Sequence, residues 1–150
     1  MPLGERAVEP WVRERFAAGR VARLASLTAD GRPHLVPVTF VLERPGDVVW
    51  MAVDAKPKST RRLRRLANIE ADPRVSLVVD HYEEDWDRLW WVRADGHATV
   101  VDVSTTAGDA AVIALQAKYP QEAAAERLGP LVRVEVRRWA AWSARPPTPT

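Results

Sequence analysis

The chain has 150 residues, 47% of them hydrophobic, which suffices for one single-core domain and falls short of two. Its 22 Lys and Arg nearly balance 20 Asp and Glu, and the absence of cysteine excludes disulfide, thiolate-nucleophile and Cys-metal chemistry together. No run of about 18 uncharged apolar residues occurs and "MPLGERAVEP" lacks a signal-type apolar core, so a soluble, cytoplasmic protein without a membrane partner is expected.

In chain order, "EPWVRERFAAG" predicts a short helix with Pro10 in its first turn and Gly19 as its stop. "RVARLASLT" and "RPHLVPVTFVLE" predict two antiparallel strands, joined through the Asp30-Gly31 pair of "ADGR". Pro37 inside the second strand cannot donate to a ladder, so it marks an edge, a bulge or a place where something other than a strand approaches. After the "RPGD" turn, Val48 to Val53 is a third strand. A connection follows, then a helix ended by Pro73, with Leu63, Leu66, Ala67 and Glu70 on one face.

"RVSLVVDHY" and "LWWVRADGHATVVDV" predict two further strands across the acidic loop "EEDWDR". Thr105 or Thr106 caps a helix from about Ala107 to Tyr119, and "QEAAAERLG" adds a turn or two. "LVRVEVRRWAAWSA" is the last strand, before the proline-rich "RPPTPT". Six hairpin-linked strands with few helices predict a mainly β (α+β) fold, a six-stranded antiparallel barrel with flanking helices. The expected organisation is one domain over residues 1–143 and a flexible tail over 144–150.

The densest charge lies in the connection to the second helix. Lys56, Lys58, Arg61, Arg62, Arg64 and Arg65 come with no acid between Asp54 and Glu70. Cations at a helix start oppose the helix dipole unless an anion sits there. Backbone N–H groups, the Ser59 and Thr60 hydroxyls and the nearby Lys and Arg would then converge on one phosphate. A solvated charged face is the competing reading, to which Arg64 and Arg65 lean. Without a recognisable nucleic-acid motif and with net charge near zero, a nucleic-acid partner is not expected.

His34, His81 and His97 lie too far apart for metal-ligand spacing, so no metal site is expected. Seven tryptophans supply flat apolar surface suited to a ring system or an interface. Trp90 and Trp91, adjacent in a strand, point to opposite sides, and Trp139 and Trp142 cannot share a face of a regular strand.

The stretches "VARLASLTADGRPHLVPVTFVLE", "VVWMAVDAKPKSTRRLRRLANIEADPRVSLVVDHY" and "LWWVRADGHATVV", in that order, resemble the flavin- and deazaflavin-binding split β-barrel superfamily of pyridoxine 5′-phosphate oxidase-like proteins. Within it, the match is to PPOX-class F420-dependent enzymes. The resemblance covers residues 10 to 143, and its most specific piece is the Lys-x-Lys-Ser-Thr-Arg connection. It implies a split barrel with the cofactor phosphate at Lys56, Lys58, Ser59, Thr60 and Arg61. It also implies a tricyclic ring beside Pro37, Val38 and Thr39, with Trp50 and Met51 on the strand alongside.

The family's members are homodimers with sites at the subunit interface, which implies contributions from a partner subunit's Trp90, His81 or residues near Trp139. The implied activity is hydride transfer between reduced coenzyme F420 and a small electrophilic organic substrate, with Tyr82 or His81 as proton donors. An FMN-dependent oxidase or reductase, or a cofactor-binding protein without turnover, is the alternative. "RRWAAWSARPP" lacks the arginine- and histidine-bearing signature of pyridoxine-phosphate oxidases proper, so pyridoxal-phosphate synthesis is not implied.

Overall fold

The computed structural model describes residues 8–52, 60–123 and 129–145. Its helices are α1 (Pro10–Ala18), α2 (Thr60–Ala71), α3 (Thr106–Lys118) and α4 (Pro120–Ala123). Its strands are β1 (Ala22–Leu27), β2 (Pro33–Val38), β3 (Val41–Glu43), β4 (Val48–Ala52), β5 (Arg74–His81), β6 (Trp90–Val101) and β7 (Leu131–Ser143). They form one sheet in the order β2-β1-β5-β6-β7-β4-β3, every neighbouring pair antiparallel.

Among the described residues there are thus seven strands, where the sequence predicts six. The predicted strand "RPHLVPVTFVLE" breaks at Thr39-Phe40, and its halves β2 and β3 lie at opposite ends of the strand order. A two-residue link between first and last strands requires the sheet to curl until its ends meet, which gives a barrel split at that seam. The break has a local cause. Phe40 is fully buried, and its N–H donates to Tyr119 Oη at 3.2 Å while its carbonyl accepts from Lys118 Nζ at 2.9 Å. Its backbone groups are therefore satisfied by the end of α3 and not by a neighbouring strand.

β4 reads as a continuous apolar run because it is buried on both faces. Val49 and Met51 face the barrel interior with Leu24, Leu77, Val92 and Val134, closed by Phe16 of α1 and Ile69 of α2. Val48 and Trp50 face outward into a second cluster with Leu115 and Tyr119, beneath α3. Thr105 caps α3, its hydroxyl accepting from Gly108 N–H at 3.0 Å, as expected.

The predicted face of α2 is corrected. Leu66 packs on the core and Asn68 and Ile69 are buried, whereas Ala67 and Glu70 are exposed. The helix is seated against β1 and β6, and that contact sets which side is covered. Between Asp95 and Gly96 of β6 the register shifts by one, leaving Arg137 of β7 as the extra residue of a β-bulge. A Cβ on Gly96 would lie 2.2 Å from the Glu135 carbonyl oxygen, so only glycine permits this approach. In the β1–β2 hairpin, Gly31 supplies the left-handed turn conformation at φ +82.

Candidate functional site

β2 is the first strand of the sheet, which agrees with the edge reading of Pro37. Among the described residues no strand pairs with the other side of β2, and Pro33 and Pro37 have no N–H to offer there. Pro37 is exposed, Val38 is buried in the core and Thr39 is half-buried at the crossover. Exposed Leu35 and Pro37 make this side of β2 apolar.

Thr39 lies two residues before Val41, which pairs with Trp50, the middle residue of β4. Trp50 and Met51 themselves are enclosed, Trp50 beneath α3 with its Nε1 donating to Glu43 Oε2 at 3.4 Å and Met51 inside the barrel. Lys56, Lys58 and Ser59 lie outside the described residues. Thr60 and Arg61 open α2, and their side chains also fall outside the described set.

His81 and Trp90 pair directly across β5 and β6, their rings stacked at 6.3 Å between centroids and 17° between planes. They line a cleft of about 360 Å³ together with Arg15, Arg88, Ser143 and Arg145. His81 Nε2 is bonded to the Glu83 carboxylate, and Arg88 lies 3.6 Å from Glu83. Tyr82, the next residue, is 70% exposed and makes no wall of this cleft.

The tryptophans divide as alternation requires. Trp91 faces Trp142 across β6 and β7, while Trp139 packs edge-on against Phe16 at 5.1 Å. Trp139 Nε1 also donates to Asp47 at 3.0 Å. Within one chain, Trp90 stands three strands from β2, about 14 Å along the sheet at normal strand spacing. The fold therefore brings His81 together with Trp90 and sets the pair apart from Pro37 to Thr39.

Two features went unseen in the sequence. Lys118 buries its ammonium against the ring and carbonyl of Phe40, and burial, then the charge of Arg20, pushes its pKa down to about 8. Arg15 joins the His81–Trp90 cleft from α1. Its spacing of four from Trp11 was the visible signal, since residues at i and i+4 meet on a helix face.

A curled antiparallel sheet with helices over its outer face and mouth is a split-barrel fold. Residues 8–143 match the family model described as pyridoxamine 5′-phosphate oxidase, and the chain belongs to that family. Solved structures share the fold. A conserved hypothetical protein, Rv2991, of Mycobacterium tuberculosis superposes with a TM-score of 0.74 at 22% identity, covering 97% of this chain and 92% of that one. HutZ, the heme storage protein of Vibrio cholerae, gives 0.67 at 18%, with 92% and 95% covered. An FAD-binding protein of Mesorhizobium loti gives 0.65 at 17%, with 91% and 95% covered. No curated protein matches the chain.

Proposed function

We propose that the protein is an oxidoreductase that binds coenzyme F420 and moves a hydride between it and a small electrophilic organic substrate. The observation that supports this reading is the terminal strand β2, with Leu35 and Pro37 exposed, together with the cation-rich sequence between β4 and α2, in a chain of this family. Lys56, Lys58, Ser59, Thr60 and Arg61 hold the cofactor phosphate, where helix N–H groups and cations converge. The backbone of Pro37 to Thr39 orients the ring, and the apolar surface of β2 keeps water from it.

When bound, the cofactor supplies the hydride chemistry, and the protein supplies binding and orientation. His81, held by Glu83, or Tyr82 delivers a proton to the product. The separation of Trp90 and His81 from β2 supports a homodimer in which a second copy brings these groups over the ring. FMN is the second reading, favoured by the FAD-binding structure among the fold's neighbours.

The test is turnover. Reduced F420 is mixed with the protein and a panel of enones, quinones and nitro compounds, and its reoxidation is followed by absorbance. Protein-dependent reoxidation with at least one acceptor supports the reading. Reoxidation no faster than without protein, across the panel, leaves a cofactor-binding protein without turnover.

A further inference from the structure

Arg13 and Arg15 lie two residues apart on α1 and are matched very differently. Arg13 forks onto Asp47 with three bonds of 2.7 to 2.9 Å. Arg15 is half-buried, yet among the described residues no carboxylate lies within ion-pairing distance of it. Its hydrogen bond runs from Nη1 to Ser143 Oγ at 3.2 Å, a hydroxyl that itself donates to the Arg145 carbonyl. A guanidinium carries five N–H donors, so most of this one's capacity stays open.

The indole rings of Trp11 and Trp90 each lie 5.1 Å from the Arg15 Cζ. Such stacking fixes the plane of the guanidinium and leaves its N–H edge for recognition. Arg15 lines the cleft of about 360 Å³ described above. The cleft's neighbouring carboxylates are already engaged, Asp87 with Arg145 at 2.9 Å and Glu83 with His81 and Arg88. Three arginines against two carboxylates leave a cationic surplus, with Ser143 and His81 beside it.

We propose that this cleft binds a small organic anion, a carboxylate or a phosphate monoester, through a bidentate contact with Arg15. Arg88 and Arg145 complete the rim. A planar fork with its stacking already in place matches two oxygens of either group, at little cost in lost side-chain freedom. The inference deepens the proposed function, which places His81 and Trp90 of this cleft near the cofactor ring, by naming the chemistry of a ligand held beside them; none of its groups belongs to the phosphate segment.

The test is a titration of the full chain with phenyl phosphate, benzoate and neutral benzamide, read from the arginine Nε–Hε signals in ¹H–¹⁵N spectra. The expected result is a saturable shift of the Arg15 signal with one or both anions and none with benzamide. Arg15→Gln should then weaken anion binding by about tenfold or more, and Arg145→Gln by less. A response to phenyl phosphate alone assigns the phosphate source, and to benzoate alone the carboxylate; either supports the site. Absence of a saturable Arg15 shift with both anions, or unchanged affinity in Arg15→Gln, overturns it. Should Arg15→Gln fail to fold, the Arg15 signal of the unaltered chain decides. Failure of this titration is distinguishable from failure of the F420 reading, which is judged by reoxidation of the reduced cofactor.

Discussion

Lys118 Nζ sits 3.9 Å from the centre of the Phe40 ring and donates at 2.9 Å to both the Phe40 and the Ala17 carbonyls. One amine thus ties α1 and α3 to the crossover that closes the barrel. Its folded pKa of about 8 lies below the ordinary 10.5, so between these values the unfolded chain holds a proton that the folded chain has released. Raising the pH through that window therefore favours the folded state. Lys118→Met should cost about 1–3 kcal/mol near neutrality through lost carbonyl bonds. The cost should grow as pH rises from about 8 towards 10.5, measured by urea unfolding of both proteins across that range.

Asp47 joins α1 to the last strand by accepting the Arg13 fork and the Trp139 N–H. Burial alone would raise its carboxyl, but these bonds and the charges of Arg13 and Arg44 outweigh it and hold the pKa below the usual 3.8. That stabilisation is complete above 3.8 and is lost as pH falls through the folded value. Asp47→Asn should destabilise by about 1–3 kcal/mol at neutral pH. The gap from the unaltered protein should narrow in acid, and a constant gap between pH 7 and pH 3 would contradict this.

Gly96 has no room for a methyl group beside the Glu135 carbonyl. Gly96→Ala should shift backbone at the centre of the β6–β7 pair and cost about 2–4 kcal/mol, read as a lower denaturation midpoint. Gly31→Ala, with nothing within 4 Å of the added Cβ, pays only for its positive φ and should cost about 1 kcal/mol.

Charge reversal at Lys56 and Lys58 together should weaken F420 or FMN binding by about 100-fold, since two charge-assisted contacts to the phosphate are lost. Arg64→Glu, at an exposed position of α2, should change affinity far less. Equal losses from the two variants in a calorimetric titration would indicate a diffuse field in place of a phosphate seat.

Most of the barrel was legible because strand alternation, the Asp-Gly turn and the caps of α1 and α3 are written locally. The break at Thr39-Phe40 was not. It depends on hydrogen bonds from Lys118 and Tyr119, some 80 residues away, and no local pattern announces a partner at that distance. The α2 face was misjudged because counting apolar letters passed over Asn68, a polar residue buried by the contact with β1 and β6. The cation cluster stood out as a charge anomaly, whereas Arg15 looked like an ordinary helix arginine until the fold brought Trp90 and Ser143 to it.

The most direct measurement is an equilibrium titration of the purified protein with F420 and with FMN in parallel at one salt concentration, read by quenching of its seven tryptophans. Saturable quenching by F420, about tenfold tighter than by FMN, is the predicted result. Tighter binding of FMN would contradict the F420 assignment, and quenching by neither would contradict a ring-binding site altogether.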